Sequence, residues 1–289
     1  MKAFSETEIR SLVSLLDEED PRNLDRIQRD ILEVGAPALP FLDELRVSGA
    51  PDVTARADAL ARRLHFHALQ DDFRRLAAAS APDLESGAWL VARFGYPDLD
   101  EAACRGRLDA LAEQVRQALP ADPSPAQALQ KLSSELFTVL GFCGNEKHYY
   151  DPDNSYLNRV IEQRRGIPVS LSVLYLIIAR RLALPVYGVA TPGHFLVGVR
   201  LGGVTSYLDA YNRGRIMTLA DVQQMLAHGG YEFRPEFVAP ATARDILARM
   251  LRNLISIYQK AAQADRAEML SSLVEILQAA RPAPAHPAP

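Results

Sequence analysis

The chain has 289 residues, of which 48% are hydrophobic and 24% charged, and its formal net charge is −4. That composition is ordinary for globular proteins and excludes a chain disordered throughout. The slight acidic excess also excludes a whole-chain basic footprint for nucleic acid.

The first 80 residues read as helix after helix. Ser5 and Glu8 have capping-box spacing, in which the hydroxyl and the carboxylate each satisfy a free backbone N–H. Leu12, Leu15 and Leu16 then share one face. A second helix is expected from Pro21 to about Glu33, carrying Leu24, Ile27, Ile31 and Leu32 and stopped by Gly35. Pro37 and Pro40 open a third through Leu45. Pro51 opens a fourth that carries Val53, Ala57, Leu60 and Leu64. Short helices punctuated by proline are similar to HEAT-type repeats.

Residues 82 to 141 continue helical, with stripes Trp89–Leu90–Phe94 and Leu108–Leu111–Val115–Leu119. Ser124, Pro125 and Gln127 start a helix expected to run to Gly141. Another is expected from Ser155 to Gln163. Ile167–Pro168 then stops the chain and restarts it as an apolar helix from Val169 to Leu182. Three strands follow, at Pro185–Ala190, His194–Leu201 and Thr205–Ala210, with Gly193 and Gly202–Gly203 in the turns. Thr218 with Asp221, and Thr242 with Asp245, cap two further helices. A last helix carries Leu270, Leu273 and Leu277. The tail at 281–289 is too rich in proline to pack.

Chemistry concentrates late in the chain. His194 and Asp209 lie 15 residues apart (209 − 194) on what read as neighbouring antiparallel strands. A carboxylate on one imidazole nitrogen fixes the tautomer and leaves the other as a base. Ser170, at the start of the apolar helix, is the candidate nucleophile, because a helix N-terminus favours developing negative charge. Ser172, two residues on, is the alternative. Arg164 and Arg165 are candidates to hold an acidic ligand. Against these stand plainer roles: a capping hydroxyl for Ser170, a turn former for Asp209, and helix-closing arginines for Arg164 and Arg165. Asn154 is expected to cap a helix or face the cleft. Cys143 sits in a loop, where it reads either as a displaced nucleophile folded over His194 or, more plainly, as a buried thiol, and Cys104 on a helix reads as structural. These two cysteines can form one disulfide at most, and neither belongs to a Cys-x-x-Cys pair.

The order nucleophile helix, strand, histidine strand, aspartate strand is that of papain-like and transglutaminase-like folds. The segment from Tyr150 to Val199, with its Arg-Arg-Gly-Ile-Pro-Val-Ser-Leu-Ser and Pro-Gly-His-Phe-Leu-Val motifs, resembles the transglutaminase-like SirB-type family of bacteria. Weaker likeness extends from about residue 82 to 278. The resemblance implies an α+β fold, mostly helical, with a papain-like core of one helix packed on a small antiparallel sheet. The expected organisation is a HEAT-like region at 1–80, a transglutaminase-like domain with helical leader at 82–228, and a tetratricopeptide-like extension at 240–280. It also implies a catalytic set of Ser170, His194 and Asp209, with serine where related enzymes carry cysteine. A serine hydroxyl is much harder to ionise than a thiol. The expected function is therefore a noncatalytic or cryptic binding or scaffold protein, and the rival is an acyl-transfer enzyme. No cofactor or metal is expected. The partner expected is a peptide or protein, with no nucleic acid and no membrane. The N-terminus turns acidic before any signal-length apolar run, so a cytoplasmic protein is expected.

Overall fold

The computed structural model describes residues 4–279. The proline-rich tail at 281–289 lies outside them. The described residues fall into two compact units, the first ending at Asp72 and the second beginning at Phe73.

The first unit is helical. Helix α1 (Glu6–Ser14) starts with the Ser5/Glu8 capping box, and α2 (Pro21–Val34) ends at Gly35, whose φ is +78°. A 3-10 turn (Ala36–Ala38) leads into α3 (Leu39–Ser48), and α4 (Pro51–Ala78) runs on past the unit boundary. After Pro51 no glycine or proline interrupts α4, so nothing in the chain breaks it earlier. Ile9, Val13, Leu16, Ile31, Leu42 and Leu60 form the centre of this unit's core. Arg56 secures it by donating to the carbonyls of Leu16 and Glu18 at 2.8 and 2.9 Å.

The second unit opens with α5 (Leu84–Gly95), α6 (Glu101–Gln117) and α7 (Pro125–Ser133). The helix expected to reach Gly141 instead widens into a π turn at Ser134–Val139, with Leu140 N–H donating to the Glu135 carbonyl at 2.9 Å. Three consecutive side chains, Glu135, Leu136 and Phe137, are buried there. A regular helix would spread them further round its axis. The next helix also starts later than expected. Pro152–Ser155 form a 3-10 turn, Tyr156 is extended, and α8 covers Leu157–Gln163. Two short strands, β1 (Cys143–Gly144) and β2 (Arg165–Gly166), pair in parallel on either side of α8 in the chain.

Helix α9 (Pro168–Arg181) is buried at every position from Pro168 to Ala179. That explains why it is apolar all round. It lies against the sheet strands β3 (Val186–Val189) and β4 (Leu196–Leu201), which with β5 (Val204–Asp209) and β6 (Arg215–Met217) form a four-stranded antiparallel meander. Strand β6 lies beyond the three expected. Helix α10 (Leu219–His228) covers β5 and β6 through Val222 and Leu226. Helices α11 (Ala243–Lys260) and α12 (Ala264–Ala279) pack on each other, and α11 also lies on α5, where a Cβ at Gly87 would meet the Leu247 side chain at 2.2 Å. The fold is α+β, mostly helical around a small antiparallel sheet. No helix among the described residues is long and apolar enough to cross a membrane.

Candidate functional site

Asp209 closes β5 and is 3% exposed. Its Oδ1 accepts the backbone N–H groups of Tyr211 and Asn212, both at 3.1 Å. Its Oδ2 accepts Asn212 Nδ2 at 2.7 Å and lies 2.9 Å from His194 Nε2. Burial pushes this carboxyl's pKa up, but the contacts from His194 and Asn212 outweigh it and hold it below the ordinary aspartate value. Asp209 is therefore an ionised carboxylate at neutral pH. It also folds the following turn: Gly214 N–H returns to the Asp209 carbonyl at 2.8 Å, with Arg213 and Gly214 at positive φ. Arg215 is thereby set directly opposite Asp209 in the sheet register.

His194 lies just before β4 rather than opening it. Gly193 takes φ +70°, and His194 N–H turns back to the Thr191 carbonyl at 3.3 Å, so the chain is still in a turn there. Ring atom Nε2 faces Asp209 at ion-pair distance, off the alignment of a regular hydrogen bond. The side chain of Tyr211 meets the imidazole edge-on, with centroids 6.2 Å apart at 89°. That tyrosine is held in turn by Gly144, where a Cβ would lie 2.4 Å from its ring and whose N–H donates to its carbonyl at 2.9 Å. Only glycine leaves room for this approach.

The serine candidate sits elsewhere. Ser170 is fully buried in the first turn of α9. Its hydroxyl donates to the Asn154 carbonyl at 2.6 Å, lies 3.1 Å from the Ile167 carbonyl, and accepts Ile167 N–H at 3.1 Å. Ser170 thus binds the backbone at the helix start, and no hydrogen bond joins it to His194. Ser172 Oγ points to the Phe195 carbonyl at a marginal 3.5 Å. The structure brings His194 and Asp209 together and leaves both serines out of that contact.

Several polar residues near this helix start turn out to hold loops. Asn154 neither caps a helix nor faces the cleft. Its Nδ2 donates to the His148 carbonyl at 2.6 Å and its Oδ1 accepts Asn145 Nδ2 at 2.9 Å, because the 145–149 loop has carbonyls and amides that need partners. Arg164 and Arg165 donate to the carbonyls of Leu140 and Gly141 at 3.1 and 3.0 Å, beyond the π turn. Cys143 and Cys104 are buried free thiols, and burial pushes the Cys104 pKa up.

A cleft of about 540 Å³ opens beside the histidine. His194 and Asn212 line it from the turns, Asp209 from the end of β5, Arg215 and Met217 from β6, and Asp221, Gln224, Met225 and His228 from α10. Ser170, Ser172 and Cys143 are not among its lining residues, which include no serine, threonine or cysteine. Among the described residues no group of three or more His, Cys, Asp or Glu side chains is placed to hold a metal ion. Sequence reasoning missed Asn212 and Arg215. The turn itself was legible, since an aspartate at a strand end folds the backbone two residues on, but the Asn212 side-chain bond to it had no local signal.

The family model for the transglutaminase-like superfamily matches residues 102–252. A UPF0162 protein of Xylella fastidiosa is 37% identical over 190 residues, which cover 64% of this chain and 68% of that protein. A UPF0162 protein of Pseudomonas aeruginosa is 28% identical over 181 residues, 62% of this chain and 66% of that protein. F-box only protein 21 of Homo sapiens is 30% identical over 165 residues, 54% of this chain but 26% of that protein. No solved structure matches.

Proposed function

The chain belongs to the transglutaminase-like superfamily, and from that premise we propose that it is a SirB-type member that binds a peptide or similar ligand beside His194 and Asp209 without covalent acyl transfer. One observation carries this reading: the cleft beside the His–Asp pair is lined by no serine, threonine or cysteine, and the Ser170 hydroxyl is engaged with the backbone of Asn154 and Ile167. A nucleophile must reach both its base and the substrate. Ser170 meets neither condition in this geometry. On the same reading, residues 82–228 are the transglutaminase-like domain with its leader, 1–80 a HEAT-like region, and α11–α12 the beginning of a tetratricopeptide-like extension.

The rival is an amidase, peptidase or transacylase using Ser170, His194 and Asp209. The 2.9 Å approach of His194 to an ionised Asp209 favours it, because a neighbouring carboxylate stabilises the imidazolium that a general base becomes. Treating the full chain with a fluorophosphonate probe separates the two. The binding reading expects no adduct on Ser170 in the wild type. An adduct on Ser170 that disappears in His194→Ala would establish the acyl-transfer reading instead.

A further inference from the structure

We propose that Arg215 selects the ligand of this cleft, and that the ligand is a peptide bearing a single carboxylate there, from an acidic side chain or a chain end. The inference rests on the binding reading above and names the chemistry that the cleft accepts.

The argument follows the charges that line the cleft. Asp209 is satisfied by two backbone amides, by Asn212 and by His194. Asp221 accepts the N–H and hydroxyl of Thr218 at 2.7 and 2.6 Å, which together with Arg215 holds its pKa below the ordinary value. Among the described residues the exposed Arg215 guanidinium has no hydrogen bond and no salt bridge within 4 Å, although it lines the same cleft near enough to Asp221 to lower that carboxyl's pKa. It is the one formally charged lining group that lacks such a contact among the described residues. Five N–H donors in a planar fork match a carboxylate in two-point geometry.

The backbone holds this arginine's root in place. The Asx turn on Asp209, the Gly214 return bond and the β5–β6 register fix Arg215 opposite Asp209. A cation anchored on a closed turn loses less freedom on binding than one on a mobile loop. The sign balance sets the size of the anion. Leaving the two histidines aside, the lining carries one positive charge, from Arg215, and two negative ones, from Asp209 and Asp221. Like charge nearby penalises a dianionic phosphate or a polyanion more than a monoanion. Met217 and Met225 add apolar, adaptable wall beside these charges. A volume of about 540 Å³ suits a few peptide residues rather than a folded domain.

The test is an NMR titration of the ¹⁵N-labelled full chain, following the Arg215 Nε–H and Asn212 side-chain amide signals. The probes are acetyl-Ala-Glu-Ala amide, its Gln counterpart, its phosphoserine counterpart, and acetyl-trialanine as free acid and as amide. The Glu peptide should bind with a Kd about tenfold below the Gln peptide, the scale of one charge-assisted contact. That gap should shrink to about twofold or less in Arg215→Gln, and in wild type it should narrow as salt rises. Tighter binding of trialanine acid than of its amide would place the carboxylate at a chain end, and no such difference would place it on a side chain. Equal Glu and Gln affinities, a gap that survives Arg215→Gln, or a phosphoserine peptide that binds tightest would each overturn the inference while leaving a ligand-binding cleft intact. Cleft signals that move with no peptide would remove both the inference and the binding reading.

Discussion

Substituting Asp209 by asparagine keeps the shape of the Asx turn and removes its charge. The folded-state pKa of this carboxyl lies below its unfolded value, so its contribution is complete above about pH 4 and is lost as pH falls through the folded value. Asp209→Asn should therefore lose stability at pH 7 and show a shallower decline on acidification than wild type. Urea midpoints at pH 7 and pH 3 measure both effects, and parallel acid profiles for the two proteins would contradict the assignment. Ser170→Ala removes a buried hydroxyl that joins the 3-10 turn carbonyl of Asn154 to the first turn of α9. The expected cost is about 1–3 kcal/mol of stability, read from the same urea curves. A neutral substitution would mean that these bonds are unimportant.

At the scale of elements, one buried carboxylate on α5 joins two other helices. Glu85 is 2% exposed and contacts Arg181 and Arg180 of α9 and Arg105 of α6 at 2.8 to 3.0 Å. Burial pushes its pKa up, and the arginines, Arg181 foremost, bring it below the ordinary value. Removing one partner of a buried ion cluster costs more than the cluster contributes, because the remaining charges stay desolvated. Glu85→Ala should cost roughly 3–5 kcal/mol, measurable as a fall in urea midpoint at constant slope, and a loss under about 1 kcal/mol would place the cluster with ordinary surface pairs. Capping and punctuation were legible from the residues alone: Ser5/Glu8, Ser124/Gln127, Thr218/Asp221 and Thr242/Asp245 all form capping boxes. Local chemistry decides those boundaries within four residues. Strand β6 was not legible, since Arg215–Met217 is too short to show alternation and follows a turn whose backbone Asp209 holds. The role of Ser170 was half legible. Its place in a helix start could be read, but its main partner, the Asn154 carbonyl, lies 16 residues away and is fixed by tertiary packing. In the pair His194 and Asp209, strand spacing located both residues, although the turn before β4 holds His194 outside the strand itself.

For the whole molecule, the division near Asp72 leaves the cluster around Leu16, Ile31 and Leu42 within the first unit. Leu42 is fully buried in the first. Leu42→Ala should cost about 2–5 kcal/mol, and hydrogen exchange should show the lost protection concentrated before residue 73. Equal loss across β4, β5 and α11 would show that the chain unfolds as one cooperative body.

The chain contains one tryptophan, Trp89, fully buried on α5 with its indole N–H 3.4 Å from Glu85 Oε1. Its emission is therefore a private reporter of the Glu85 cluster, and residues 4–72 contain no indole to contribute. Fluorescence-monitored denaturation watches the second unit, while far-ultraviolet circular dichroism averages over the helices of both. In Leu42→Ala the dichroism curve should shift to lower urea and the indole curve should stay where it was, so two inexpensive optical signals resolve what a single melting temperature would blend.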